Sequence, residues 1–201
     1  MGGIMYRRGS AAPLLVLAIA VSMVLVGFLV LSVSRAAFAD VTNNSANVVG
    51  AGTVDLVDDD TGSVLFNIST LIPDQTEVNC IVVTYQGTVS NPGAVKLYSG
   101  GFTDSGNFAT YLNLTIEEGT GGSFGNCTGF VSQNTIESGG TLANFGTTHT
   151  NYASGAGVWD PAATPQSKTY RITFQLDPAT PDAQQGESVT ALVFTWEVQS
   201  G

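Results

Sequence analysis

Positive charge, histidine and sulfur are scarce in this chain. Its 201 residues hold six Lys and Arg against 16 Asp and Glu, with one His and two Cys. Arg7, Arg8 and Arg35 precede Asp40, and every acidic residue lies at or beyond it. From Asp40 onward there are three basic and 16 acidic side chains, a formal net charge of −13. Such a surface repels phosphate backbones and anionic lipid, which argues against nucleic-acid partners and against membrane contact through the exported part. The lone histidine, His149, sits in a Gly/Thr/Asn stretch and is expected to be an exposed loop residue. It excludes a His-Glu-x-x-His zinc site, which needs two histidines one helical turn apart with a glutamate to activate water. No Gly-x-Ser-x-Gly elbow occurs, so a serine nucleophile has no support. No catalytic residue and no cofactor are expected.

The two cysteines, Cys80 and Cys127, are too far apart in sequence for a redox or metal pair and have no histidine helpers. In an exported chain such a pair is expected to be a disulfide. Closing a loop of that length stabilises a fold by about 4 kcal/mol in the chain-entropy picture.

Export is the reading of the amino terminus. Leu14 to Ser34 is an apolar run of 21 residues without a charge, preceded by Arg7 and Arg8. It is long enough to span a bilayer. Ala37-Phe38-Ala39 then supplies the small-x-small pattern that a signal peptidase cleft admits. Cleavage after Ala39 is expected, with residues 1–39 as signal peptide, a hydrophobic signal helix, and Asp40 as the new amino terminus. The alternative is an uncut anchor, which would be the chain's one membrane contact. Arg7-Arg8-Gly9-Ser10 echoes a twin-arginine signal, but the residues after the pair fit it poorly.

Beyond the leader, period-two alternation replaces helical periodicity. Tyr170, Ile172, Phe174 and Leu176 alternate with polar residues, as do Leu192, Phe194, Trp196 and Val198, and Leu112, Leu114 and Ile116; each set reads as a strand with one face inward. Val64, Phe66 and Ile68 read as a shorter strand. Val78 to Tyr85 is nearly all apolar and β-branched, the pattern of a central strand covered on both faces. Gly, Pro and Asn punctuate these runs at Asp58 to Gly62, Pro73-Asp74, Asn91 to Gly93, Gly100-Gly101 and Pro178 to Gly186. Seven or eight strands so spaced predict an all-β domain over residues 40–201, an antiparallel sandwich of jelly-roll or immunoglobulin-like type. Gly119 to Ser167, rich in Gly, Ser, Thr and Asn, is too long for a bare loop. It is expected to hide one or two strands, around Gly129 to Ser132 and Thr141 to Phe145.

In order along the chain stand Ala37-Phe38-Ala39-Asp40, Asn43-Asn44-Ser45-Ala46-Asn47 and Ala51-Gly52-Thr53-Val54-Asp55-Leu56. This succession resembles the TasA and camelysin family of exported bacterial proteins, whose leaders are cut by a SipW-type signal peptidase. Phe194-Thr195-Trp196-Glu197 fits the family's closing strand. Leu71-Ile72-Pro73-Asp74-Gln75 departs from its Leu-x-Pro-Gly-Asp turn by lacking the glycine, and the 119–167 insertion and the cysteine pair lie outside the pattern. The resemblance implies a jelly-roll subunit that self-assembles into extracellular or biofilm-matrix fibres. In such fibres the freed segment 40–50 adds a strand to a neighbour's sheet, with Val41, Val48 and Val49 as its apolar teeth. The alternative for that segment is a disordered terminus. The family also includes a described metalloprotease, a reading the single histidine does not support.

Two further groups were weighed. Asp55, Asp58, Asp59 and Asp60 form the densest acidic cluster and are weak calcium candidates, against the plainer reading of a solvated turn. Phe145, Tyr152 and Trp159 in the insertion would form a sugar-stacking platform if exposed, making the chain a surface adhesin or carbohydrate-binding module; otherwise they pack into the core.

Overall fold

The computed structural model describes residues 52–68 and 70–200. The chain divides into two units, Met1–Ala39 and Asp40–Gly201, and all described residues belong to the second. The expected signal helix, the cut-site residues Ala37, Ala39 and Asp40, and the donor residues Val41, Val48 and Val49 lie outside the described residues. Among the described residues no helix is long and apolar enough to cross a membrane.

Eight strands are present: β1 (Leu56–Asp58), β2 (Thr76–Tyr85), β3 (Val95–Asp104), β4 (Leu112–Thr120), β5 (Val131–Thr141), β6 (Ala156–Trp159), β7 (Gln166–Leu176) and β8 (Val189–Glu197). They form the antiparallel sandwich that the alternation predicts. One sheet has five strands in the order β1-β2-β7-β4-β5, the other three in the order β6-β3-β8.

The inward residues are those of the period-two pattern. Register places Ile172 of β7 opposite Ile116 of β4, Phe174 opposite Leu114, and Leu176 opposite Leu112, and all six are buried. Ile81, Val83 and Tyr85 extend this layer on β2, while Val95 and Leu97 of β3 meet it from the second sheet. Aromatic rings tie the layers together. Phe174 and Phe194 have centroids 6.5 Å apart, and Tyr170 and Trp196 5.4 Å apart.

The outer face of the large sheet explains the cysteines. Cys80, Arg171 and Glu117 stand side by side on β2, β7 and β4. The segment after β4 folds back over them. Cys127 bonds to Cys80, with Cα atoms 5.2 Å apart; Phe130 lies beneath the Arg171 guanidinium at 4.7 Å; and Arg171 Nε donates to Glu117 Oε2 at 2.7 Å. Gly119 permits the return, because a Cβ there would collide with the Val131 carbonyl. The expected disulfide therefore bolts a flap across three strands, and Cys80 is fully buried beneath it.

Four expectations need correction. Val64, Phe66 and Ile68 form no strand; Val64 and Ile68 are 73% and 38% exposed, and Phe66 alone packs, 4.9 Å from the Phe174 ring. Thr141 to Phe145 is not a strand either. β5 ends at Thr141, whose side chain accepts from Asn144 N and caps a helix, α1 (Leu142–Thr148), that buries Leu142 and Phe145. The hidden strand placed at Gly129 to Ser132 is β5, starting later and running far longer. Finally, β2 has the core on one face only. The flap covers Cys80 on the other, while Val78 is 42% exposed.

Candidate functional site

The sheets have unequal widths, and the mismatch falls on one side. Along one lateral side, β5 and β6 extend the two sheets, α1 plugs the end with Leu142 and Phe145, and Trp159 of β6 is 5% exposed. Along the other, β1 is three residues long and β8 has no strand beyond it among the described residues. A groove of about 260 Å³ opens there, with an apolar floor of Leu56, Ile81, Val83, Phe194 and Trp196 and a rim of Val57, Asp58, Asp60 and Thr195. The inward residues of β7 are buried, whereas Leu192, Phe194, Trp196 and Val198 are half-buried. The indole Nε1 of Trp196 is buried and meets no acceptor among the described residues. A buried donor without a partner is costly. An added strand beside β8 would cover the floor and offer backbone carbonyls.

The acidic rim is also the predicted calcium cluster. Its carboxylates serve backbone amides. Asp59 accepts from Val82 N and from Phe124 N, both at 2.8 Å, which joins β2 to the flap. Asp58 accepts from Asp60 N at 3.1 Å and Asp60 from Gly62 N at 2.6 Å, the hydrogen bonds of a tight turn. Asp55 contributes its carbonyl to Gln86 N. Among the described residues no group of three or more His, Cys, Asp or Glu side chains is placed to hold a metal ion. Burial, and then the neighbouring Asp60 and Asp59 charges, push the Asp58 carboxyl above its ordinary value despite the Asp60 amide.

The aromatic platform does not form. Phe145 and Trp159 are buried, and the Tyr152 hydroxyl donates to the Ala94 carbonyl at 2.9 Å. His149 differs from the exposed loop residue expected. It caps α1, is half-buried, places Nδ1 2.5 Å from the Ser154 carbonyl and Nε2 3.4 Å from Glu137 Oε2, and stacks near Phe145. These bonds hold the insertion together.

Sequence reading missed the groove because its lining comes from three strands far apart in the chain, each of which looks like ordinary core. It also missed Glu118, an acid 4% exposed inside the sandwich, opposite Tyr170 and bonded by Asn134 Nδ2 at 3.3 Å. Burial, reinforced by Glu118, holds the Tyr170 hydroxyl protonated far above its usual range. Neither lines the groove.

No protein-family model matches the chain, and no curated protein matches it.

Proposed function

We propose that this chain is an exported structural protein without catalysis, a TasA-like subunit of extracellular or biofilm-matrix fibres. A SipW-type peptidase removes the leader after Ala39, and the freed segment 40–50, with Val41, Val48 and Val49, joins a neighbour as a donor strand. One observation carries this reading: a five-stranded sheet faces a three-stranded one, with an apolar groove along an unpaired strand where another strand would go. An unpaired edge offers N–H and C=O groups to an extended segment, and alternate side chains fill the pockets beside it. Head-to-tail contacts of this kind do not close, so filaments follow. The order of the Ala-Phe-Ala-Asp, Asn-rich and Ala-Gly-Thr-Val-Asp-Leu segments supports the same reading. The adhesin alternative loses its footing, since its rings lie in the core.

Electron micrographs of the secreted chain beginning at Asp40 are expected to show fibres, and deletion of residues 40–50 is expected to abolish them. Fibres that grow normally after the deletion would overturn the donor role.

A further inference from the structure

Four strand edges exist among the described residues, and they differ in what they can accept. β5 carries register shifts against β4 and exposes Ser132, Gln133, Asn134 and Thr135. β6 has four residues and a bulge against β3, with Gly157 at φ +97. Bulges, polar faces and shortness are how proteins blunt an edge. β1 has three residues. β8 alone combines length with an apolar floor, and its stretch from Phe194 to Glu197 stays in unbroken register with Lys96 to Ser99 of β3.

Charge narrows the occupant further. The groove is apolar at its floor and acidic at its rim, where Asp58 and Asp60 stand close enough for each to disfavour the other's ionisation. A segment that brings more negative charge would be repelled; one that brings a single cation would be held. Residues 41–50 contain no charged side chain. Once the chain is cut after Ala39, the one cation in this segment is the α-amino group of Asp40.

We propose that the β1–β8 groove receives residues 40–50 of a second copy of this chain, and that Asp58 and Asp60 bind the newly made amino terminus. The inference rests on the donor-strand reading above and adds to it a place and a chemical reason why cutting matters. Before cleavage the nitrogen of Asp40 is a neutral amide; afterwards it is an ammonium that the acidic rim can recognise.

Geometry favours a neighbour over the chain's own segment. Thr53 and Thr88 exchange hydrogen bonds, Thr88 N to Thr53 O at 2.7 Å and Thr53 N to Thr88 Oγ1 at 2.8 Å, while Gln86 N donates to Asp55 O at 2.9 Å. Traced backwards from Leu56, the chain thus leaves past the end of β2, away from the groove, and would have to reverse to enter it. Eleven extended residues reach about 36 Å, enough to follow a strand of β8's nine residues, roughly 30 Å long.

The test uses the whole mature chain with its own donor disabled by Val41→Asp, Val48→Asp and Val49→Asp, and a synthetic peptide of residues 40–50 as probe. With nitrogen-labelled protein, the peptide bearing a free amine is expected to move the Trp196 indole resonance, assigned with Trp196→Phe, and to leave that of Trp159 in place. An N-acetylated peptide is expected to bind about tenfold more weakly, and Asp58→Asn with Asp60→Asn to erase that difference. Val57→Lys, at the exposed rim, provides a second block that leaves the turn intact. Equal binding of the two peptides would overturn the role of the amine. Binding that leaves Trp196 unmoved, while the unaltered chain forms fibres dependent on residues 40–50, would overturn the groove and spare the fibre reading. Absence of both peptide binding and fibres would overturn both.

Discussion

The two lateral sides of the sandwich were built by different means. On the β5–β6 side, the insertion between β4 and β7 supplies an extra strand to each sheet, a capped helix and a set of fixed contacts. His149 O accepts from Ser99 N at 2.9 Å, Lys96 Nζ donates to Gly157 O at 2.6 Å, and Tyr152 reaches Ala94. On the β1–β8 side nothing comparable is present among the described residues, and apolar floor shows through. The difference teaches that the insertion is a guard. A sandwich with two open sides could take strands at either; this one presents a single side, which gives association a direction.

If that contrast is sound, equal truncations on the two sides will have unequal costs. Phe145→Ala, on the closed side and fully buried, is expected to cost about 3–5 kcal/mol, measured by denaturant unfolding. Phe194→Ala, facing the groove and half-buried, is expected to cost clearly less. Equal losses would mean that the groove is as tightly packed as the closed side.

Reducing the Cys80–Cys127 bond tests the flap that belongs to the guarded side. The expected loss is about 4 kcal/mol or somewhat less, read as a fall in the unfolding midpoint with dithiothreitol. A surface change on the open side should act in the opposite way. Val57→Lys is expected to shift stability by no more than about 0.5 kcal/mol, because Val57 is 39% exposed, yet to stop fibre growth in electron micrographs.

The smallest effect concerns the back of the small sheet, where β3 meets β8. Tyr98 donates to Glu197 Oε2 at 2.7 Å, and burial, together with that acceptor and its charge, pushes the hydroxyl up to about 12 from 10.0. A raised value favours the neutral phenol in the folded state. The associated stability is complete below pH 10 and is lost as pH rises toward 12. Absorbance titration should show Tyr98 ionising last among the exposed and half-exposed tyrosines, and Tyr98→Phe should remove that late step.

Much of the fold was legible because β4, β7 and β8 each bury one face, and burial on one face forces alternation. Leu112 to Ile116 and Tyr170 to Leu176 needed no tertiary information. The failures have local causes. In Thr141-Leu142-Ala143-Asn144-Phe145 the spacing of Leu142 and Phe145 is helical, but five residues show too little of the period to distinguish it from a strand. The capping bond from Thr141 decides it. β5 escaped notice because an edge strand that must stay soluble is written in Ser, Gln, Asn and Gly. Val64-Phe66-Ile68 alternates without a partner strand to use it. For the site, the chemistry of each lining residue was visible, but its location was not, since Leu56, Ile81 and Phe194 meet only through sheet order.

The flap held by Cys127 has a consequence for timing. In a reducing compartment the thiols stay separate, and the segment from Gly121 to Phe130 is bound to the outer face by little more than an arginine–ring contact and a few amide hydrogen bonds to Asp59 and Cys80. Oxidation after export would lock it. The chain would then travel in a looser form and reach full rigidity at its destination, so the redox state of its surroundings would act as a maturation signal separate from the cutting of the leader.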